Sequence, residues 1–163
     1  MAVQLQRAPA SLAGNEVLEH FLGSQGFLPT AHERVTRAEA LKALEHALLD
    51  ATSSVSQGDA RSGPVLILVP VGSYGLGVWT SSSDIDCLCI GSISPKTFFA
   101  LAVQRLKRAA TGGIRILRRV KANSGYMLEL EVQGIKMDLQ YCAAASIAER
   151  CVQQICTDVY SSS

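Results

Sequence analysis

Two carboxylates one residue apart, Asp84 and Asp86, open the run Asp-Ile-Asp-Cys-Leu-Cys-Ile over 84–90. In an extended strand alternate side chains share a face, so both acids project to one side and Ile85 and Cys87 to the other. Like charges held that close repel, and a divalent cation between them is the common relief. Upstream, Gly72-Ser73 follows the apolar run over 65–71, with further glycines at Gly75 and Gly77. Such a turn lets the backbone approach an anion and aim N–H groups at it. A phosphate cradle beside a cation site suggests phosphoryl or nucleotidyl transfer. A third carboxylate, Asp138, lies 54 positions after Asp84. Around it Ile135, Met137 and Leu139 alternate with Lys136, Asp138 and Gln140, which turns Asp138 away from the apolar row. A mixed sheet placing this strand beside the Asp84 strand would gather three carboxylates on one surface. Such a trio can hold two magnesium or manganese ions, lowering the pKa of an attacking hydroxyl and neutralising a triphosphate and its leaving pyrophosphate.

The elements that must position these residues follow from periodicity and caps. Asn15 can cap a short helix with Val17, Leu18, Phe21 and Leu22 on one side, ending at Gly23. Thr30 and Glu33 have capping-box spacing, and Val35, Ala38, Leu41, Leu44 and Leu48 form a helical stripe to about residue 51. The polar, small-residue segment 53–63 reads as a connector. The aliphatic run over 65–71 predicts a strand buried on both faces, with Pro70 where it leaves the sheet. Ser94-Pro95 has the form of an N-cap followed by proline at the first helical position. Phe99, Ala102, Val103 and Leu106 supply that helix with an apolar face until Thr111-Gly112-Gly113. Strands over 114–120, 126–132 and 135–142 come next, then a closing helix over about 144–159. The expected organisation is a lead-in over 1–14, one core over 15–142, and a terminal helix and tail over 143–163.

Bulk properties narrow the classes. At 163 residues one domain with a substantial core is expected. Charged residues make up only 18% against 48% apolar. That fits either a compact α/β core or a piece whose apolar flank packs on something else. A net charge of +1 gives no bulk pull toward nucleic acid. Apolar runs are too short for a membrane span, and the start lacks the order of a secretory signal. The five cysteines, Cys87, Cys89, Cys142, Cys151 and Cys156, show no Cys-x-x-Cys pair, which favours a reducing, intracellular compartment. Seven arginines and lysines fall within 105–121 with no acid among them. They read either as a steering surface for RNA or nucleotide or as a solvated helix end and strand face. Lys136 reads as a surface lysine and Trp79 as cover for apolar surface. The histidines at 20, 32 and 46 carry no assigned chemistry.

Gly72-Ser73, Asp84-x-Asp86 and the later Asp138 together resemble the DNA polymerase β-type nucleotidyltransferase superfamily. Gly-Ser-Tyr-x-Leu-Gly-Val followed by Asp-Ile-Asp-x-Leu-Cys is most similar to the catalytic domain of eukaryotic poly(A) polymerases, and Arg118-Arg119-Val120 and the 134–138 segment agree with that family's order. The resemblance implies an α/β (α+β) fold: a mixed-sheet nucleotidyltransferase core with helices packed on one face. It implies ATP-using, template-independent transfer of AMP to an RNA 3′-hydroxyl. Asp84, Asp86 and Asp138 would be metal-binding catalytic carboxylates holding two Mg2+ or Mn2+ ions, and Gly72 and Ser73 the triphosphate contacts. It also implies a nuclear location and a further domain or chain completing the cleft. Two positions depart from the family: Gly75 stands where arginine is usual, and Trp79 where histidine is frequent.

Overall fold

A computed structural model describes residues 15–49, 65–122 and 125–151. The expected lead-in, the connector, the second half of the closing helix and the serine tail lie outside the described residues. Helix α1 (Asn15–Ser24) leads into α2 (Ala31–Leu49), then strand β1 (Leu66–Val71), a single turn α3 (Gly72–Gly75) and strand β2 (Ile85–Gly91). Helix α4 (Pro95–Arg108) and a 3-10 turn (Ala109–Gly112) precede strands β3 (Ile114–Ala122), β4 (Gly125–Val132) and β5 (Ile135–Ala143). A further helix begins over 145–151. No described helix is long and apolar enough to cross a membrane.

The caps form as the residue types require. Glu33 accepts from the Thr30 backbone N–H at 2.7 Å while its own N–H donates to the Thr30 hydroxyl at 3.2 Å, closing a reciprocal box at the head of α2. At the head of α4, Ser94 Oγ accepts from the Thr97 N–H at 3.2 Å, and Pro95 follows. Beyond α4 the chain reverses at Gly113, whose φ of 81° is left-handed.

The five strands lie in the order β1-β2-β5-β4-β3. Every neighbouring pair is antiparallel except β2 with β5, which is parallel. Helices α2 and α4 cover one face. There Ala40, Leu44 and Leu48 of α2 and Phe98, Phe99, Ala102 and Leu106 of α4 close over Ile85, Cys87, Met137, Leu139, Leu128 and Leu130 of the sheet. Phe98 stacks on Tyr141 at 4.1 Å between ring centres, and the Tyr141 hydroxyl donates to the Ile93 carbonyl at 2.7 Å. The entry to α4 is thereby fastened to β5. The opposite face carries Asp86, Asp138, Glu129 and Arg118 and is not covered by any described helix.

Three expectations shift. β1 is an edge strand paired only with β2, its residues half-buried and Val69 exposed, rather than buried on both faces. At an edge Pro70 needs no second hydrogen-bonding neighbour, so it lies within the strand. The buried seam of α2 runs Arg37, Ala40, Leu44, Leu48, leaving Val35 exposed, because Arg37 takes the inward position at the N-terminal end. The apolar side of α1, with Val17 58% and Phe21 54% exposed, is not buried among the described residues. Truncating the fully buried Leu44 to alanine is expected to lower unfolding free energy by about 2–5 kcal/mol, read from urea denaturation.

Candidate active site

Sheet register brings the distant acids together. Asp86 on β2 pairs directly with Asp138 on β5, and Ile85 with Met137. At parallel-strand spacing this sets the two aspartate backbones about 4.8 Å apart. Both point to the open face because their neighbours Ile85, Cys87, Met137 and Leu139 are fully buried on the other. Asp84 precedes the first paired residue of β2 and is exposed. It lines a hollow of about 240 Å³ together with Asp138, Lys136, Arg118, Glu129, Leu117 and Leu130. A second hollow of about 230 Å³ meets the first at Asp84 and Lys136, and is walled by Arg37, Ser81, Ser82, Ser83, Gly134 and Ile135.

The Gly-Ser turn reaches the same place from the other side. Val71, the last residue of β1, is register partner of Asp86, so the chain leaves β1 beside that carboxylate. Gly72 then takes φ +62°, and a Cβ there would lie 2.3 Å from Asp86 Oδ2. Glycine is required twice over, by the dihedral and by the acid against it. The turn is closed by Leu76 N–H to the Gly72 carbonyl and by Val78 N–H to the Ser73 carbonyl at 2.9 Å, with Ser73 half-buried. At Gly75 a Cβ would meet the Pro70 carbonyl oxygen at 2.5 Å, so the backbone fills the space that an arginine side chain would leave by.

A fourth carboxylate and its counter-ion belong to this surface. Glu129 on β4 is the register partner of Asp138 from the side opposite Asp86, and Arg118 on β3 is the partner of Glu129. Arg118 grips Glu129 with two donors, Nε to Oε2 at 3.0 Å and Nη2 to Oε1 at 2.5 Å. The hydrogen bonds from Arg118 hold the Glu129 carboxyl below its ordinary range. Burial, then the neighbouring charges of Glu129, Asp86 and Asp84, push the Asp138 carboxyl up, with Arg118 pulling weakly the other way. The alternation Glu129, Leu130, Glu131 is the sequence signal that places Glu129 on this face, but its pairing with Asp138 depends on strand order.

The basic stretch is largely engaged within the chain. Arg115 pairs with Glu131 at 2.8 Å, Arg119 lies over the Tyr126 ring at 4.5 Å, and Arg105 donates to the Leu48 carbonyl. Trp79 is 7% exposed and packs beside Tyr74 at 5.4 Å, with the Arg37 guanidinium over its ring at 4.7 Å. Cys87, Cys89, Cys142 and Cys151 carry free thiols, and burial pushes those of Cys87 and Cys89 up to about 12. These two are inert packing groups.

Among the described residues, no three acidic, histidine or cysteine side chains enclose an ion by themselves. The donor chemistry nevertheless suits a hard divalent cation, which takes carboxylate oxygens and leaves positions to water and phosphate.

The family model for the nucleotidyltransferase domain matches residues 59–146. Nuclear poly(A) polymerase 3 of Arabidopsis thaliana is 29% identical over 136 residues, which cover 76% of this chain and 26% of that protein. The chain therefore spans about a quarter of the length of that relative. A crystal structure of the Cid1 poly(U) polymerase with MgGTP bound superposes with a TM-score of 0.57 at 13% identity, over 78% of this chain and 38% of that one. The GLD-2/RNP-8 complex gives 0.56 at 16% identity, over 86% and 42%. At these identities the two structures establish the fold.

Two outcomes test this geometry. Gly72→Ala should weaken Mn2+ binding, followed by calorimetry, about tenfold or more. Gly77→Ala, also at positive φ but with open space around its Cβ, should stay within about twofold of wild type. Asp138 has a folded pKa above the unfolded value of about 3.9, so the folded state holds the extra proton and stability falls as pH rises through that window. In metal-free buffer at pH 7, Asp138→Asn should therefore raise the urea midpoint above wild type, the gain shrinking as pH approaches 4.

Proposed function

The chain belongs to the nucleotidyltransferase domain family, within the DNA polymerase β-type superfamily, and from that premise we propose that it is the core of a template-independent RNA 3′-nucleotidyltransferase using ATP. The observation that carries the reading is the Asp86–Asp138 register pair with Gly72 packed against Asp86. It supports one surface on which a triphosphate and divalent ions would be held together. The choice of AMP as the transferred group rests on the likeness to the plant nuclear poly(A) polymerase and on the Gly-Ser-Tyr-x-Leu-Gly-Val motif.

In this reading Gly72 and Ser73 contact the triphosphate, the glycine giving close backbone approach and the serine a hydroxyl donor. Asp84, Asp86 and Asp138 would hold two Mg2+ or Mn2+ ions, whose chemistry is to acidify an acceptor hydroxyl and offset charge on the triphosphate. Asp86 and Asp138 sit on paired strands and keep their separation through the reaction, so the chain contributes orientation and a preset field rather than a covalent intermediate. Glu129 is kept from competing for a cation by the two donors of Arg118. Lys136, exposed between the two hollows, stands where it can meet an acceptor phosphate. A further domain or partner chain would cover the open face, and a nuclear location follows the same likeness.

The test is extension of a labelled oligoribonucleotide with Mg2+ or Mn2+, ATP and UTP being supplied in parallel. Addition of AMP, reduced about a hundredfold or more by Asp138→Ala, is the expected result. UMP addition in preference to AMP would reassign the nucleotide. Binding of ATP and metal without pyrophosphate release would make the chain a nucleotide-binding module instead.

A further inference from the structure

Asp86 and Asp138 are held by the strand ladder, but Asp84 is not: β2 begins at Ile85. Something other than the sheet must aim the first acid. Arg37 is the one buried charged side chain among the described residues, at 4% exposure. Glu33, one turn earlier, acts on it electrostatically, but among the described residues no carboxylate forms an ion pair with it. Instead its Nη1 donates to the Ser83 carbonyl and its Nη2 to the Ser81 carbonyl, both at 2.7 Å. Its guanidinium carbon lies 4.7 Å from the centre of the Trp79 ring. The Ser83 carbonyl belongs to the peptide unit that carries the Asp84 nitrogen, so Arg37 fixes the plane from which Asp84 departs.

The same guanidinium reaches the other half of the site. Trp79, stacked on Arg37, packs on Tyr74 at 5.4 Å, and Tyr74 lies within the Gly72–Gly75 turn. Between Trp79 and Asp84 the loop is a closed turn, with Ser83 N–H donating to the Thr80 carbonyl and Thr80 N–H to Ser83 Oγ, each at 3.0 Å. One helical turn before Arg37, the nearby Ser81 side chain, then Thr30, which hydrogen-bonds it, hold the Glu33 carboxyl down to about 2. The first turns of α2 therefore grip the whole 79–84 loop.

We infer that Arg37 is a positioning residue that sets the Gly72 turn and Asp84 relative to each other, through Trp79 on one side and the Ser81 and Ser83 carbonyls on the other. This rests on the reading of Asp84 as a metal-holding carboxylate. Planarity matters as much as charge, because one fork must meet two carbonyls and a ring face at once. A lysine keeps the charge and cannot make that set of contacts.

The experiment compares wild type, Arg37→Lys and the destabilised control Leu44→Ala, with Mn2+ alone as probe and free ion counted by electron paramagnetic resonance. Arg37→Lys should bind Mn2+ about tenfold more weakly, and Leu44→Ala should remain near wild type. Equal binding by Arg37→Lys, or equal weakening by Leu44→Ala, would overturn the inference. Trp79 is the only tryptophan, so acrylamide quenching reads the loop without reference to metal. Its emission should be shielded in wild type and in Leu44→Ala, and opened in Arg37→Lys. Free quenching of wild-type Trp79 would overturn the clamp even if the variant failed to fold. If wild type binds no Mn2+ but Arg37→Lys opens Trp79, the metal reading fails while the clamp on the loop stands; unchanged quenching in a folded Arg37→Lys protein defeats the clamp itself.

Discussion

Everything on the open face depends on the register of one parallel strand pair. Because side chains alternate with a period of two, a slip of one residue between β2 and β5 would bring Met137 to the open surface and send Asp138 into the core. The register is enforced from below, where Ile85, Cys87, Met137 and Leu139 are fully buried under α2 and α4. Burying side chains such as Ile85, Met137 and Leu139 contributes about 1.5–3 kcal/mol each. Two unit charges at strand spacing near a protein surface repel by about 3–4 kcal/mol. Apolar burial therefore outweighs the repulsion between Asp86 and Asp138, and the core holds in place a pair that would otherwise separate.

The acids form a graded row. From β2 to β3 the paired positions read Asp86, Asp138, Glu129, Arg118. Arg118 settles the charge at the far end by gripping Glu129, which leaves Asp138 between one satisfied carboxylate and one unsatisfied one. The unbalanced charge accordingly concentrates on the β2 side, next to the glycine turn.

Local signals were legible where a few adjacent residues determine the outcome. Thr30 with Glu33 and Ser94 with Pro95 formed the caps their types require, and the alternation through Ile135, Met137 and Leu139 placed Asp138 on the face opposite the core. The link between Asp138 and the Asp84 segment came from the likeness to a family, since no local rule joins strands 54 positions apart. What escaped reading was set by tertiary neighbours. An aliphatic strand looks the same at an edge as in the middle, so β1 gave no sign of its position. Arg37 interrupts an apolar stripe and looks like a solvent-facing residue until its carbonyl partners are in view. Glu129 looks like one of two ordinary strand glutamates, because its pairing partner is decided by strand order.

The long separation between β2 and β5 has a kinetic side. The β3-β4-β5 meander closes through short turns, and β1 with β2 is antiparallel, so both can form from contacts near in sequence. Joining them requires a loop through α4, β3 and β4 to close first, and that entropy is spent before any contact between the two parts repays it. Asp86 meets Asp138 only at this joining, so the acidic surface comes into being in the same event that completes the sheet. A nascent chain has no such surface until β5 has emerged and docked.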